Sequence, residues 1–204
     1  MHKEILDNNQ LSLLDLLKSF KREFYLVGGT AIALHIGHRR SIDFDLFKAT
    51  PFQAKKILNK IQDQGHRYLV TRSVSGQLNL IISNVKFTFF EYPFTIDTNE
   101  DFEKKIKIPS LLDLAAMKAF ALGRRSKWKD YVDLYFILKN HYTFQEISER
   151  ASILFDQQFS GKLFRAQLSY FDDINYSEEV EYIIPQPPTE NEIKNFLIDI
   201  AIDF

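Results

Sequence analysis

The sequence predicts an α+β protein: a mixed sheet with flanking helices, followed by a helical C-terminal domain. Apolar residues recur at every second position in several short runs up to about Tyr92, and every three to four residues from Pro109 onward. Between these regimes, residues 95–108 are polar and rich in charge, which predicts a boundary there. The expected division is an α/β domain over residues 1–100 and a helical domain over 101–204.

Residues 5–20 place Leu11, Leu14, Leu17 and Phe20 at helical spacing and predict one amphipathic helix. "EFYLVGG" reads as a short buried strand cut off by Gly28 and Gly29. "TAIALHIGH" predicts a short helix with Thr30 as N-cap and Gly37 as C-cap. In "SIDFDLF", Ile42, Phe44 and Leu46 alternate with Asp43, Asp45 and Phe47, so both aspartates share one strand face. A helix is expected from Pro51, a residue favoured in the first turn. Strands follow in "HRYLVTRS", "GQLNLIIS" and "VKFTFFEY", with turn signals at Ser75-Gly76 and Ser83-Asn84. Helices are expected in "PSLLDLAAMKAFALG", "KWKDYVDLYFILKN", "FQEISERASILFD" and "TENEIKNFLIDIAIDF". The stiff linker "PQPPT" at 185–189 precedes the last of them.

The absence of cysteine excludes a disulfide framework and thiolate chemistry. No apolar run approaches the ~20 residues of a membrane span, and "MHKEILDNNQ" lacks the apolar core of a signal peptide. The expected location is the cytoplasm, with no membrane partner. The 19 Phe and 9 Tyr are expected mainly in the core. The net charge of −1 hides an asymmetry, because from Phe171 onward nine acids accompany a single base, Lys194, leaving +7 on the rest. A basic body suits a polyanion, although two solvated faces of opposite sign would give the same count.

The order strand, Gly28-Gly29, short helix, Asp43-x-Asp45 has a chemical logic. Glycines let a backbone approach phosphates closely, and a helix N-terminus offers free N–H groups and the positive end of a dipole. Thr30 adds a hydroxyl. Two carboxylates ~7 Å apart on one strand face can share one or two Mg²⁺ ions, which neutralise phosphate and lower the pKa of an attacking hydroxyl. The alternative is a tight turn followed by a solvated strand. Arg39 and Arg40 either neutralise the phosphate site or are solvated, and His35 is expected to pack.

"LVGGTAIALHIGHRRSIDFDLF" (26–47), taken with "LLDLAAMKAFALGRRSKWKDYVDLYFIL" (111–138), resembles the AbiEii/AbiGii toxin family. These are the nucleotidyltransferase-like halves of bacterial abortive-infection and toxin–antitoxin pairs, within the DNA polymerase β-like nucleotidyltransferase superfamily. The resemblance covers roughly residues 24–140 and implies a nucleotidyltransferase-fold domain whose nucleotide cleft is closed by the helical domain. Position by position it implies that Gly28, Gly29 and Thr30 bind phosphates, Asp43 and Asp45 hold Mg²⁺, and Lys118 contacts the triphosphate. Asp130, ahead of Asp133, corresponds to the carboxylate of the last motif. The implied reaction transfers a nucleotide from an NTP to an acceptor and releases pyrophosphate; for some relatives the acceptor is the tRNA 3′ end. The implied partners are an NTP, RNA and a cognate antitoxin protein.

One departure stands out. The superfamily's third carboxylate falls at Thr88, and Glu91 lies on the opposite strand face. A hydroxyl is neither a strong base nor an anionic ligand at pH 7. That leaves one-metal chemistry, a base from elsewhere such as Asp130, or nucleotide binding without turnover. A small-molecule nucleotidyltransferase of the antibiotic-modifying kind shares the sheet domain, but the +7 body argues against a cationic substrate. Lys118 either reaches the site or snorkels to the surface. Arg124, Arg125, Lys127 and Lys129 surround Trp128 and could track RNA, with Trp128 stacking or, more simply, buried. Asp130 and Asp133 have Lys129, Arg124 and Arg125 as alternative partners.

Overall fold

Seven short strands join into one mixed sheet in a computed structural model that describes residues 1–122 and 124–203. Contacts divide the chain into two compact units, Met1–Ser110 and Leu111–Phe204. In the first unit, α1 (Asn8–Ser12) and α2 (Leu14–Ser19) precede β1 (Tyr25–Val27), α3 (Gly28–Ile36), β2 (Asp43–Lys48) and α4 (Ala54–Asp63). The meander β3 (Leu69–Val74), β4 (Gln77–Ile82) and β5 (Val85–Glu91) follows, then the hairpin β6 (Glu100–Phe102) and β7 (Ile106–Ile108). The sheet order is β3-β4-β5-β2-β1-β7-β6; β2 runs antiparallel to β1 and parallel to β5, and β7 runs parallel to β1.

Strand alternation decides which face is core. Phe44, Leu46, Leu78, Leu80, Phe87 and Phe89 are fully buried on one side. Phe20 and Phe24 meet the Phe89 ring edge-on at 4.9 and 5.2 Å. The other side carries Asp43, Asp45, Asn79, Lys86 and Thr88, all half-buried or exposed. Ser83 and Asn84 both take positive φ, which closes β4 and β5 in the two-residue turn that matches strand twist.

The first unit departs from the sequence reading at several elements, among them α4, which starts at Ala54 and leaves Pro51 outside its first turn. The single helix expected over 5–20 is broken at Leu13, because Asp7 and Gln10 cap each other reciprocally and begin a separate short helix. Leu11 is therefore exposed, while Leu13 and Leu16 join the core. The polar stretch 95–108 also contributes strands: Phe102 pairs with Ile106 around Glu103 and Lys104, both at positive φ. Three-residue strands are too short to display a period. Residues 101–110 thus belong with the sheet, and the helical unit begins ten residues after the expected division.

The second unit contains α5 (Leu111–Leu122), α6 (Trp128–Asn140), α7 (Phe144–Phe155), α8 (Gly161–Leu168) and α9 (Glu190–Ile202). Reciprocal caps at Thr143 with Glu146 and at Thr189 with Glu192 set the starts of α7 and α9. Buried Ala115, Ala116 and Ala119 let α5 lie among its neighbours, and Phe120 stacks on Phe155 at 4.0 Å. The sequence reading missed α8, an eight-residue helix that buries only Phe164 and Leu168 and exposes Leu163. Among the described residues no helix is long and apolar enough to cross a membrane.

Phe89 is the most informative core position to perturb. Phe89→Ala is expected to lower unfolding free energy by about 3–5 kcal/mol, measured by urea denaturation, because three ring contacts are lost at once.

Candidate functional site

Val27, the last residue of β1, lies opposite Asp45 of β2. The next residue, Gly28, turns into α3 with φ +73°, and a Cβ there would run into the Asp45 carboxylate. The carboxylate therefore sits against the first residue of α3, at the positive end of the helix dipole. Val27 is the N-cap of α3 and supplies no side-chain hydrogen bond to the first turn of Gly28, Gly29 and Thr30.

Thr30 is inside the helix and is not its N-cap, which corrects the sequence expectation. Its side chain is buried, and its hydroxyl donates to the Asp43 carbonyl, with the Ser41 carbonyl at 3.4 Å. The hydroxyl thus ties α3 to β2, which leaves the Thr30 N–H as its means of meeting an anion. Gly37 ends α3 in the left-handed conformation, as the sequence predicts.

Arg39 is fully buried, so the solvated alternative does not describe it. Its Nη1 donates to the Arg40 carbonyl at 2.8 Å, and its Nη2 would lie 2.6 Å from a Cβ on Gly29. Gly29 is therefore the residue that admits the guanidinium beneath the turn. Arg40 is directed toward the N-terminal segment, where it donates to the Glu4 carbonyl at 3.3 Å. His35 packs, with Nε2 3.0 Å from the Pro109 carbonyl.

Asp43 and Asp45 share the open face of β2. In the parallel pairing with β5, Asp43 lies beside Lys86 and Asp45 beside Thr88. The Lys86 Nζ is 3.9 Å from the Asp43 Oδ2. Glu91 pairs with Lys48 and so belongs to the opposite face. No cluster of three or more metal-ligating side chains occurs among the described residues.

In the second unit, Lys118 does not snorkel. It is 5% exposed, with Nζ 2.7 Å from Asp130 Oδ1 and 3.0 Å from Asp133 Oδ2. Arg125 Nε reaches Asp130 Oδ2 at 3.0 Å. Burial pulls the Lys118 pKa down, but Asp130 and Asp133 outweigh it, and the net shift is upward. Burial likewise raises Asp130, but Lys118 and Arg125 outweigh it and hold the carboxyl below its ordinary value. Trp128 is buried between Tyr131 and Tyr176.

The basic segment before α6 is internally engaged. Glu178 pairs with Lys127 and, at 3.7 Å, with Lys129, while Ser126 donates to Asp173 at 3.1 Å. Backbone bonds from Asn175 to Ser126 at 2.7 Å and from Trp128 to Asn175 at 3.1 Å lay the acidic segment alongside. Beside them is a cleft of about 360 Å³ whose lining includes Arg124, Arg125, Lys127 and Asp173. Part of the C-terminal negative charge is thus spent on this cluster.

The profile of the family described as "Nucleotidyl transferase AbiEii toxin, Type IV TA system" matches residues 13–83 and 87–200. An uncharacterized protein of Aquifex aeolicus (strain VF5) is 31% identical over 173 residues, which span 78% of this chain and 83% of that one. Among solved structures, MenT4, a nucleotidyltransferase toxin of Mycobacterium tuberculosis H37Rv, superposes with a TM-score of 0.62 at 12% identity, covering 95% of this chain and 82% of its own. JHP933 from Helicobacter pylori gives 0.56 at 14% identity, covering 96% of this chain and 88% of its own. At such identities these likenesses concern the fold.

Two stability tests follow from the geometry. Gly28→Ala is expected to cost about 1–2 kcal/mol in urea unfolding from the left-handed backbone alone, before any displacement of Asp45 is added. Lys118→Met leaves two carboxylates buried together and is expected to cost about 3–5 kcal/mol at pH 7. The wild-type contribution of this network is present above the ordinary Asp130 value of 3.8 and fades as pH falls through the lowered folded value. At the alkaline end it is complete below the ordinary Lys118 value of 10.5 and fades as pH rises through the raised one. The gap between wild type and Lys118→Met should therefore be widest between these limits and narrow outside them, read by denaturation across pH.

Proposed function

The chain belongs to the AbiEii family of nucleotidyl transferase toxins of type IV toxin–antitoxin systems, and we propose that it transfers a nucleotide from an NTP to RNA, with the tRNA 3′ end as acceptor. The observation that carries this reading is the placement of Asp43 and Asp45 on one open strand face, with the Asp45 carboxylate against Gly28 at the start of α3. A phosphate acceptor and a pair of hard oxygen ligands thereby meet at one turn.

The N–H groups of Gly28, Gly29 and Thr30 would take phosphate oxygens, aided by the helix dipole. The buried Arg39 guanidinium adds positive potential beneath the turn. Asp43 and Asp45 suit Mg²⁺, which accepts one or two carboxylates and completes its shell with phosphate and water. Bound there, the ion would neutralise phosphate and lower the pKa of the acceptor hydroxyl. The chain's own task is to align that hydroxyl for in-line attack on the α-phosphorus as pyrophosphate leaves.

Lys118 and Asp130 enter through their match to the family's later motifs. Asp130 is held ionised by Lys118 and Arg125, which suits a group that orients a lysine better than a base tuned to neutral pH. The +7 carried by residues 1–170 weighs against a cationic small molecule, and RNA would have to compete with Glu178 for Lys127 and Lys129. A cognate antitoxin would silence the activity, and the cytoplasm is where NTP and tRNA meet it.

Thr88 beside Asp45 favours a second reading, a nucleotide-binding module without turnover. The test is incubation with Mg²⁺, each α-³²P-labelled NTP and total tRNA, beside Asp43→Ala. Label is expected to enter RNA with the wild type and to fall at least about 100-fold with Asp43→Ala, the scale of several kcal/mol of transition-state stabilisation. Nucleotide binding without label would select the second reading.

A further inference from the structure

We propose that the open face of β2 and β5 is built for a single divalent cation, with Lys86 supplying the positive charge that a second ion would otherwise bring to Asp43. This rests on the nucleotidyltransferase reading above.

The register makes the argument. Side chains directly across neighbouring strands on one face are ~5 Å apart, so Lys86 and Thr88 are the nearest strand neighbours of Asp43 and Asp45. The row from Asp45 continues through Thr88 to Asn79 of β4, both uncharged. A second Mg²⁺ would require further anionic oxygens, since the ion demands near-octahedral geometry and gives up water reluctantly. The position where a third carboxylate would provide one is a hydroxyl, and Glu91 faces away.

Lys86 is placed to make up the charge. Its ammonium is 3.9 Å from Asp43 Oδ2, with the two side chains 45% and 34% exposed, so both are reachable by a ligand. A lysine is a compact, mobile charge with three donors. It offsets part of the charge of one carboxylate and disfavours a second cation at the same edge. On their open face the two strands then hold two carboxylates and one ammonium, a set matched to one ion carried in with the nucleotide.

The experiment counts Mn²⁺ bound to the intact protein by electron paramagnetic resonance, in the presence of an NTP analogue that cannot be cleaved between the α- and β-phosphates. The wild type is expected to hold one Mn²⁺ per bound analogue, and the double variant Lys86→Ala with Thr88→Asp is expected to hold two. Lys86→Gln, a conservative change at an exposed site, should tighten the single Mn²⁺ several-fold because the ammonium no longer competes for Asp43. Two ions in the wild type, one ion still in the double variant, or an unchanged Mn²⁺ affinity in Lys86→Gln would each overturn the inference and leave the transferase reading standing. Failure of the wild type to bind the analogue at all would instead bring down the transferase reading itself.

Discussion

The close approach of Gly28 to the Asp45 carboxylate is the constraint on which the first unit's candidate site depends. Antiparallel pairing of β1 with β2 sets Val27 against Asp45, and the chain must then turn sharply into α3. Only a residue without a Cβ and at ease at φ +73° can do so without pushing the carboxylate aside. Gly29 meets a second demand, because the Arg39 guanidinium approaches it from beneath. The two glycines are therefore not interchangeable: one makes room for a carboxylate, the other for a buried cation.

Thr30 secures this arrangement from within. Its buried hydroxyl bonds the Asp43 carbonyl and fastens the helix to the strand that carries both aspartates. The distance between the helix N-terminus and the Asp pair is consequently set by backbone and short side chains, which lose little entropy on ordering. A site assembled on such elements is held more tightly than one built on long flexible side chains.

In the second unit the organising feature is charge taken out of water. Lys118, Asp130 and Asp133 are all nearly fully buried, and such groups are tolerated only when mutually satisfied. Arg125 completes the balance from a more exposed position. The neighbouring lysines are matched by Glu178 in the acidic segment that runs alongside them. A cationic stretch that looks free in the sequence is thus largely answered inside its own unit, and nucleic acid approaching it would compete with that segment.

The sequence by itself determined the periodic elements, the turn chemistry and the grouping of Asp43 with Asp45, because these depend on neighbours two to four residues apart. Strand alternation set Thr88 and Glu91 on opposite faces and the family resemblance matched Thr88 to the third carboxylate; the register then puts Thr88 beside Asp45. Tertiary structure decided the rest. The Asp7 cap that divides the first helix, the short strands β6 and β7, and the two-turn α8 carry too few residues to display a period. The burial of Arg39 under Gly29, the commitment of the Thr30 hydroxyl to Asp43, the placement of Lys86 beside Asp43 and the pairing of Glu178 with Lys127 all join residues separated along the chain. Such contacts are set by which elements pack together, and local pattern does not encode that.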